Sequence, residues 1–518
     1  MNSIFKKSRL LLAVACVFLL ALAIPSRGLA AESEPEAEEI SSHMVVSESV
    51  GFTNHVYLFD SNRRGGYLTA PTASLTLSHR KGIGSLYLTF ATSYTPYYVV
   101  NLDTGEKRTI DNGYIHAFID LVDLFGEAPN KVQLRFENGQ AALFEMRVFT
   151  RGKVPDNVQI WSDPVEGKTD LLLFSAHSDD DHLFFAGLLP YYAVERGYQV
   201  QVVYLTNHWN TYAFRMHEIL DGLWAVGIRS YPVFAPYPDF FDANTLQTAF
   251  WKFEQAGYNR EDMTGFVVEQ LRRFRPMVAV GHDFDGEYGH IQHKVYAQML
   301  ADAVEISGDA SVFPESASTY GPWDVPKTYI HLYEENPIIM DWDQPMENFE
   351  GMTPYEVSRY RGFAAHGSQH ETWLRFFSSD KASGLPSYSP CRYGLYRTTV
   401  GDDVEKNDMF ENVIDHAEQE RLAEEEAARL EAEEKRQQEE EQAIRESIAE
   451  EQERRKTAEE TLEKQKKLAP LATAAWVVGA VALAIVAVFA LVNHLRGRWT
   501  YGDDESWDTN EQQNEDGE

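Results

Sequence analysis

The sequence predicts an α/β domain, a parallel sheet with helices on both faces, preceded by a β-sandwich and followed by a long charged helix and one transmembrane helix. Three observations carry this. Over residues 170–377, apolar runs of strand length alternate with segments of helical length, as in a parallel sheet wound with helices. Over 51–150, apolar and polar residues alternate with period two, the pattern of half-buried strands. After Asp415 the composition turns to Glu, Ala, Arg, Lys and Gln, and then to an uncharged apolar stretch over 469–492.

The N-terminus is predicted to be a signal peptide over 1–30. Lys6, Lys7 and Arg9 precede an apolar run, and Gly28-Leu29-Ala30 offers small residues for cleavage. Cys16 lies inside that run, so removal of the peptide leaves Cys391 alone and the mature chain without an intramolecular disulfide. Residues 31–50 are acidic and Ser-containing and are expected to be a disordered lead-in.

The β-sandwich is assigned to 51–153. Leu75 and Leu77 alternate with polar residues, as do Leu86, Leu88 and Phe90, and Val132, Leu134 and Phe136. Asn138-Gly139 is a two-residue hairpin signal, and Asp103-Thr104-Gly105 suggests another. Tyr94, Tyr97, Tyr98 and Tyr114 suit a sugar-stacking face, but core and cross-strand pairing is the commoner use. Residues 154–164 have the composition of a linker.

The α/β domain is assigned to 154–411. Strands are predicted at 171–176, 199–205 and 277–280, followed by helices reaching Arg196, over 214–226 and over 290–304. Each strand ends in polar chemistry, at Ala176-His177, Leu205-Thr206 and Gly281-His282. Open α/β sheets bind ligands at that end. Residues 380–411 close the domain, with Cys391 in a structural role.

Residues 412–468 read as a charged helical stalk with recurring (i, i+4) pairs: Glu425/Arg429, Glu431/Lys435, Glu441/Arg445, Glu450/Arg454, Glu451/Arg455 and Glu460/Lys464. Leu422, Leu430, Ile444 and Ile448 do not sustain heptads, so a solitary helix and a self-associating coiled coil both stand. At ~1.5 Å per residue the stalk would reach ~80 Å. The stretch 469–492 is long enough for a hydrocarbon core of ~30 Å. Arg496 and Arg498 follow it, but Lys464, Lys466 and Lys467 precede it. Orientation therefore rests on the signal peptide, which puts the α/β domain outside and a short acidic tail, 493–518, in the cytoplasm. More than half of the formal net charge of −34 comes from residues 415–463 and from the short acidic tail after Tyr501. No basic footprint exists, which excludes a nucleic-acid partner.

The chemistry concentrates in two segments. After the first strand come His177, Ser178, Asp179, Asp180, Asp181 and His182. Carboxylates crowded at a buried strand end repel one another, and a divalent cation removes that cost. An acidic helix N-cap is the plainer account of a single Asp. After the third strand, residues 283–293 read DFDGEYGHIQH. His290 and His293 share a helix face, and Gly286 and Gly289 suit a tight loop. His182, Asp181, His208 and His217 read as caps, helix-surface groups or supports for the ligands. The aromatics over 231–258 read as packing rather than a sugar platform.

AHSDDD at 176–181 and EYGHIQH at 287–293 resemble the paired AHPDDE and YGHPDH signatures of PIG-L/LmbE-like N-acetylglucosaminyl deacetylases. Arg215 and Glu218 match that family's Arg-x-x-Glu, and His366 to Gln369 its late His-x-Ser-Gln. The resemblance covers about 170–370. It implies a Rossmann-like fold and a Zn²⁺-dependent removal of acetyl from a GlcNAc amide. By position it implies His177, Asp180 and His293 as metal ligands and Asp179 as general base. It implies His290 and Tyr288 as groups that stabilise the transition state and protonate the leaving amine, and Arg215 as a residue near the sugar. Two imidazoles and a carboxylate leave an open position on Zn²⁺, as a catalytic site needs.

Three residues depart from the signatures. Ser178 replaces Pro, Asp181 replaces Glu, and Gln292 replaces an Asp that would buttress the histidines. The resulting expectation is a surface-tethered zinc amidohydrolase acting on an N-acetylated sugar of a cell-envelope or extracellular glycan. The alternatives are a glycan-binding or adhesion protein with a weakened deacetylase-like domain, and a metal hydrolase of another amide or an ester.

Overall fold

The computed structural model describes residues 35–60, 67–208, 213–468 and 474–496. The segment predicted to be a signal peptide, 1–30, and the tail beyond 496 lie outside the described residues. Residues up to Glu420 form one compact unit and those from Arg421 a second.

Among the described residues nine strands build the sandwich: β1 Val45–Val50, β2 Tyr67–Leu68, β3 Ala73–Ser78, β4 Ser85–Phe90, β5 Tyr97–Asn101, β6 Lys107–Ile110, β7 His116–Asp120, β8 Lys131–Phe136 and β9 Ala142–Phe149. They form a five-stranded sheet, β1-β3-β8-β5-β6, and a four-stranded sheet, β2-β9-β4-β7. The alternating residues named above supply the interior: Leu75, Leu77, Leu86, Leu88, Phe90, Leu134 and Phe136 are all buried. Tyr97 packs on Phe90 and Phe136, so this aromatic belongs to the core.

Three expectations for this half are corrected. The lead-in predicted to be disordered over 31–50 is structured from Glu36, which bridges to Lys153. Ile40 is buried and β1 pairs antiparallel with β3, because the sheet edge offers its backbone partners that the acidic composition concealed. The hairpin predicted at Asn138-Gly139 is absent. Its flanking strands β8 and β9 lie in different sheets. The chain turns a corner there, held by Tyr94, whose hydroxyl accepts from the Asn138 N–H and donates to the Gly139 carbonyl. Asp103-Thr104-Gly105, by contrast, does join the antiparallel pair β5 and β6. The linker predicted over 154–164 is an interface, with Val154, Val158, Gln159 and Trp161 buried.

The second half is a seven-stranded sheet in the order β12-β11-β10-β13-β14-β16-β15. Its strands are β10 Leu171–Ser175, β11 Val200–Thr206, β12 Val233–Tyr237, β13 Val278–Gly281, β14 Lys327–His331, β15 Pro337–Ile339 and β16 Arg392–Thr398. The first five in chain order run parallel; β15 and β16 add an antiparallel edge. Every residue of β10, β11 and β13 is buried, which explains why these strands read as unbroken apolar runs. The chain leaves β10 towards β11 and β12, then returns to its other side for β13 and β14. That reversal opens a crevice at the carboxyl ends of β10 and β13.

The predicted helices over 214–226 and 290–304 appear as Ala213–Ala225 and Ile291–Ile306. The helix predicted to run to Arg196 is broken into Asp180–Leu183, Leu188–Pro190 and a π-turn at Tyr191–Glu195. The break is at Gly187, which has φ +97° and lies so near Trp342 that a Cβ would stand 2.6 Å from its ring. Cys391 is free and buried.

The charged segment is a 53-residue helix, His416–Leu468, starting four residues later than predicted. Arg445–Glu441 at 3.6 Å and Arg455–Glu451 at 2.8 Å form as expected. Arg429 pairs with Glu426 instead of Glu425. Such exposed pairs stabilise weakly. The apolar stretch is helical over Ala474–Arg496. Among the described residues no helix is long and apolar enough to cross a membrane. The predicted span falls partly outside them, since 469–473 are not described and side chains are not described over 464–481.

Candidate active site

Both motif segments arrive at the crevice between β10 and β13. His177 follows β10, and Asp180 opens the short helix behind it. The turn closes on itself: the His177 N–H donates to Asp180 Oδ2 at 2.7 Å. The Ala176 N–H donates to His282 Nε2 at 2.8 Å, tying the turn to the end of β13. On the other side Gly286 and Gly289 have positive φ and Tyr288 is left-handed at φ +47°. A Cβ at Gly286 would stand 2.4 Å from the His290 carbonyl oxygen. The loop must therefore carry glycine to present Tyr288, His290 and His293 together.

His177 Nδ1 lies 3.0 Å from Asp180 Oδ2 and 3.2 Å from His293 Nε2, and His293 Nε2 lies 3.2 Å from the same carboxylate oxygen. Donors bound tetrahedrally at ~2.0–2.1 Å stand about 3.3 Å apart, so these three fit one zinc-sized ion with a position left open. In the absence of a cation, protons hold the cluster together. Burial opposes charge on both rings, yet the Asp180 carboxylate outweighs it, raising His177 to about 10 and His293 to about 9. Asp180 is correspondingly held well below the usual carboxylate range, against its burial, by His293 and His177.

Glu287 buttresses the histidines. Its carboxylate is wholly buried. One oxygen lies 2.6 Å from His293 Nδ1 and 2.9 Å from His282 Nδ1, and the other 2.6 Å from His331 Nδ1. Because a carboxylate accepts, the proton of His293 sits on Nδ1 and Nε2 is left for an ion. The Gln292 side chain does not buttress the histidines; its amide donates to the Pro238 carbonyl at 3.3 Å. The concern raised by that departure falls away, since the buttressing carboxylate is five residues earlier.

All seven residues expected at the site come together. His177, Asp179, Asp180, Arg215, Tyr288 and His290 line one cavity of about 90 Å³, with Asp239, Gln369, Trp373 and Phe376, and His293 closes its base against His177. A larger cleft of about 1020 Å³ between sandwich and sheet contains no such donor set. Asp179 Oδ2 has no protein partner, while Oδ1 accepts from Arg215 at 3.3 Å. Burial raises the Asp179 carboxyl, Arg215 opposes this and Asp180 reinforces it. Burial, then the charges of His177 and His293, lower His290 to about 3. Its Nδ1 accepts the Gln292 N–H as helix N-cap. Burial raises the Tyr288 phenol, keeping its proton in place.

The other two motifs meet as well: Glu218 accepts from the Ser368 N–H at 2.8 Å and from its hydroxyl at 2.6 Å. Sequence reasoning missed the positions of Asp239, 3.6 Å from His177 Nε2, and of His331. Asp239 follows one parallel strand and His331 ends another, so the strand-end rule that found His177 also points to them. His182, Asp181, His208 and His217 are neither caps nor surface groups, since all four are buried. His217 stacks on His116 of the sandwich, with 2.7 Å between His116 Nε2 and His217 Nδ1.

Residues 172–304 match the PIG-L family, described as GlcNAc-PI de-N-acetylase. Over that region the chain is similar to the PIG-L/LmbE-like deacetylases. A relative from Rhodococcus jostii (strain RHA1), named 1D-myo-inositol 2-acetamido-2-deoxy-alpha-D-glucopyranoside deacetylase, is 30% identical over 179 residues, 31% of this chain and 60% of the relative. A protein of the same name from Streptomyces avermitilis is 23% identical over 47% of this chain and 97% of its own length. The chain thus spans about 60% of the length of the Rhodococcus relative. Among solved structures, the conserved protein TT1542 from Thermus thermophilus aligns over 45% of this chain and 97% of its own at 16% identity and TM-score 0.31. The PIG-L match ends before His331 and begins after the sandwich, so both lie outside it.

Proposed function

We propose that this chain is a metal-dependent amidohydrolase that removes acetyl from an N-acetylglucosamine-type sugar. The observation that carries the reading is the triangle of His177, Asp180 and His293 beside a carboxylate, Asp179, that has one oxygen unpartnered. A divalent ion held by those three residues, Zn²⁺ by its donor set, supplies a Lewis acid that activates water and polarises the amide oxygen.

The chain's own groups perform the rest. Asp179 Oδ2 takes the proton of the attacking water, and its raised pKa strengthens it as a base. The Tyr288 hydroxyl keeps its proton and donates to the oxygen as it gains charge. His290 enters neutral: burial disfavours the imidazolium, and its Nδ1 is committed to the helix N-terminus. It donates from Nε2 as a neutral ring. The proton needed by the leaving amine is then the one Asp179 has collected. Arg215 orients Asp179 and has its Nε unpartnered. Trp373 and Phe376, stacked on one another, give the cavity an aromatic wall.

The same reading places the protein at the cell surface, exported by the segment over 1–30 and anchored by the apolar stretch over 469–492, with the exposed helix His416–Leu468 as spacer or self-association element. The substrate is then a glycan within reach of that surface. The test is acetate and primary-amine release from N-acetylated oligosaccharides by the full chain, with and without chelator. Metal-loaded protein that releases acetate from none of them overturns the proposal. Retention of the full chain in the soluble fraction overturns the anchor alone.

A further inference from the structure

Among the described residues three groups are arranged to hold a metal ion, and two of them share His293 at the active site. The third is Asp181, His182 and His366, whose donor atoms lie within 4.8 Å of one another. All three side chains are buried, His182 and His366 completely. None of the four imidazole nitrogens has a hydrogen-bond partner, and neither does Asp181 Oδ1. His182 Nε2 stands 3.3 Å from Asp181 Oδ2, but that oxygen already accepts from the Tyr204 hydroxyl at 3.0 Å.

Two unpartnered imidazoles and half a carboxylate in a protein interior are costly, and native interiors rarely leave such groups unmet.

The backbone keeps the space between these donors open. Gly222 sits mid-helix, where glycine costs roughly 1 kcal/mol relative to alanine. A Cβ there would stand 2.7 Å from His182 Nε2 and 2.8 Å from His366 Nε2, and 3.2 Å from the Gly362 carbonyl oxygen. Gly362, in the π-turn Ser358–Gly362, would place its own Cβ 2.6 Å from His182 Nδ1. Gly222 thus leaves free a point close to both Nε2 atoms, and Gly362 leaves room on the Nδ1 side of the His182 ring.

We propose that Asp181, His182 and His366 bind a second divalent transition-metal ion, structural in role, with the Gly362 carbonyl within reach as a further oxygen donor. Two nitrogens and a carboxylate oxygen are a zinc-type donor set. The site is closed to substrate and pins the turn carrying Asp179 and Asp180 to the segment Ser358–His366. It is independent of the active-site reading.

The full chain is loaded with Zn²⁺, dialysed against metal-free buffer and counted by elemental analysis, and the ions are located by anomalous scattering at the zinc edge. Two ions per chain are expected, with one remaining in the His177→Ala/His293→Ala double variant and one in Gly222→Ala, whose added methyl occupies the ion's place while leaving every donor intact. A single ion that disappears in the double variant, with only water between His182 and His366, overturns the inference. A single ion that survives there but is lost in Gly222→Ala upholds it and overturns the active-site metal instead. No ion at either place overturns both. If the double variant fails to fold, the wild-type anomalous map decides.

Discussion

Glu287→Gln tests the site through a residue that touches no substrate. The buried carboxylate accepts from three imidazoles, and its oxygens lie 2.6, 2.9 and 2.6 Å from His293, His282 and His331. An amide of the same shape has only one accepting atom. If that oxygen faces His282 and His293, the amide NH₂ meets the Nδ1 of His331 and the Asp283 N–H, which donates to Glu287 Oε1 at 3.3 Å. If it faces His331, His293 loses the acceptor that fixes its tautomer. A carboxylate supporting a metal-bound histidine is worth roughly 10–100-fold in metal affinity, about 1.4–2.8 kcal/mol at ~1.4 kcal/mol per decade. The zinc dissociation constant of Glu287→Gln, from competition with a chromogenic chelator, is therefore expected to rise 10–100-fold, with turnover restored in excess metal. An unchanged constant refutes the argument that Glu287 orients His293.

Asp179→Asn is expected to keep zinc and lose acetate release by ~10²–10⁴-fold, the range for a general base; unchanged turnover removes Asp179 from that role. His293→Ala loses an ion donor and is expected to lower bound active-site zinc below half occupancy by elemental analysis. Zinc affinity should rise with pH. His177 and His293 titrate at about 10 and about 9 in the metal-free cluster, so below those values the ion must displace protons, and each proton released makes binding stronger as pH increases. Affinities flat between pH 6 and 9 would show that those protons are absent. Tyr231→Phe removes the hydroxyl that accepts the buried Ile115 N–H at 3.1 Å and is expected to cost about 1–3 kcal/mol, read as a lower denaturation midpoint; an unchanged midpoint shows that this contact does not join sandwich to sheet.

By itself the sequence determined whatever is encoded over a few neighbouring residues. The runs at β10, β11 and β13 are buried on both faces, so their apolar character is continuous and legible. His177 and Asp180 are three residues apart and close on one another through the local turn. His290 and His293 stand three residues apart at the start of one helix, so their proximity was readable once the two segments were placed at strand ends. The charged helix follows from composition alone.

Tertiary structure decided the pairings between distant segments. Glu287 gathers His331 from 44 residues away, and nothing local to His331 announces that carboxylate. Asn138-Gly139 carries a hairpin signal, yet β8 and β9 lie in different sheets, because strand partners are chosen by the whole sandwich interior and not by the turn. Ile40 and Trp161 sit in stretches whose composition suggests exposure, and each is buried by a surface that exists only after folding. The same holds for Asp181, His182 and His366, which separate elements bring to one closed space. A period or a motif is a property of the chain; which faces meet depends on burying apolar area from distant elements at once, and that information is spread over the entire fold.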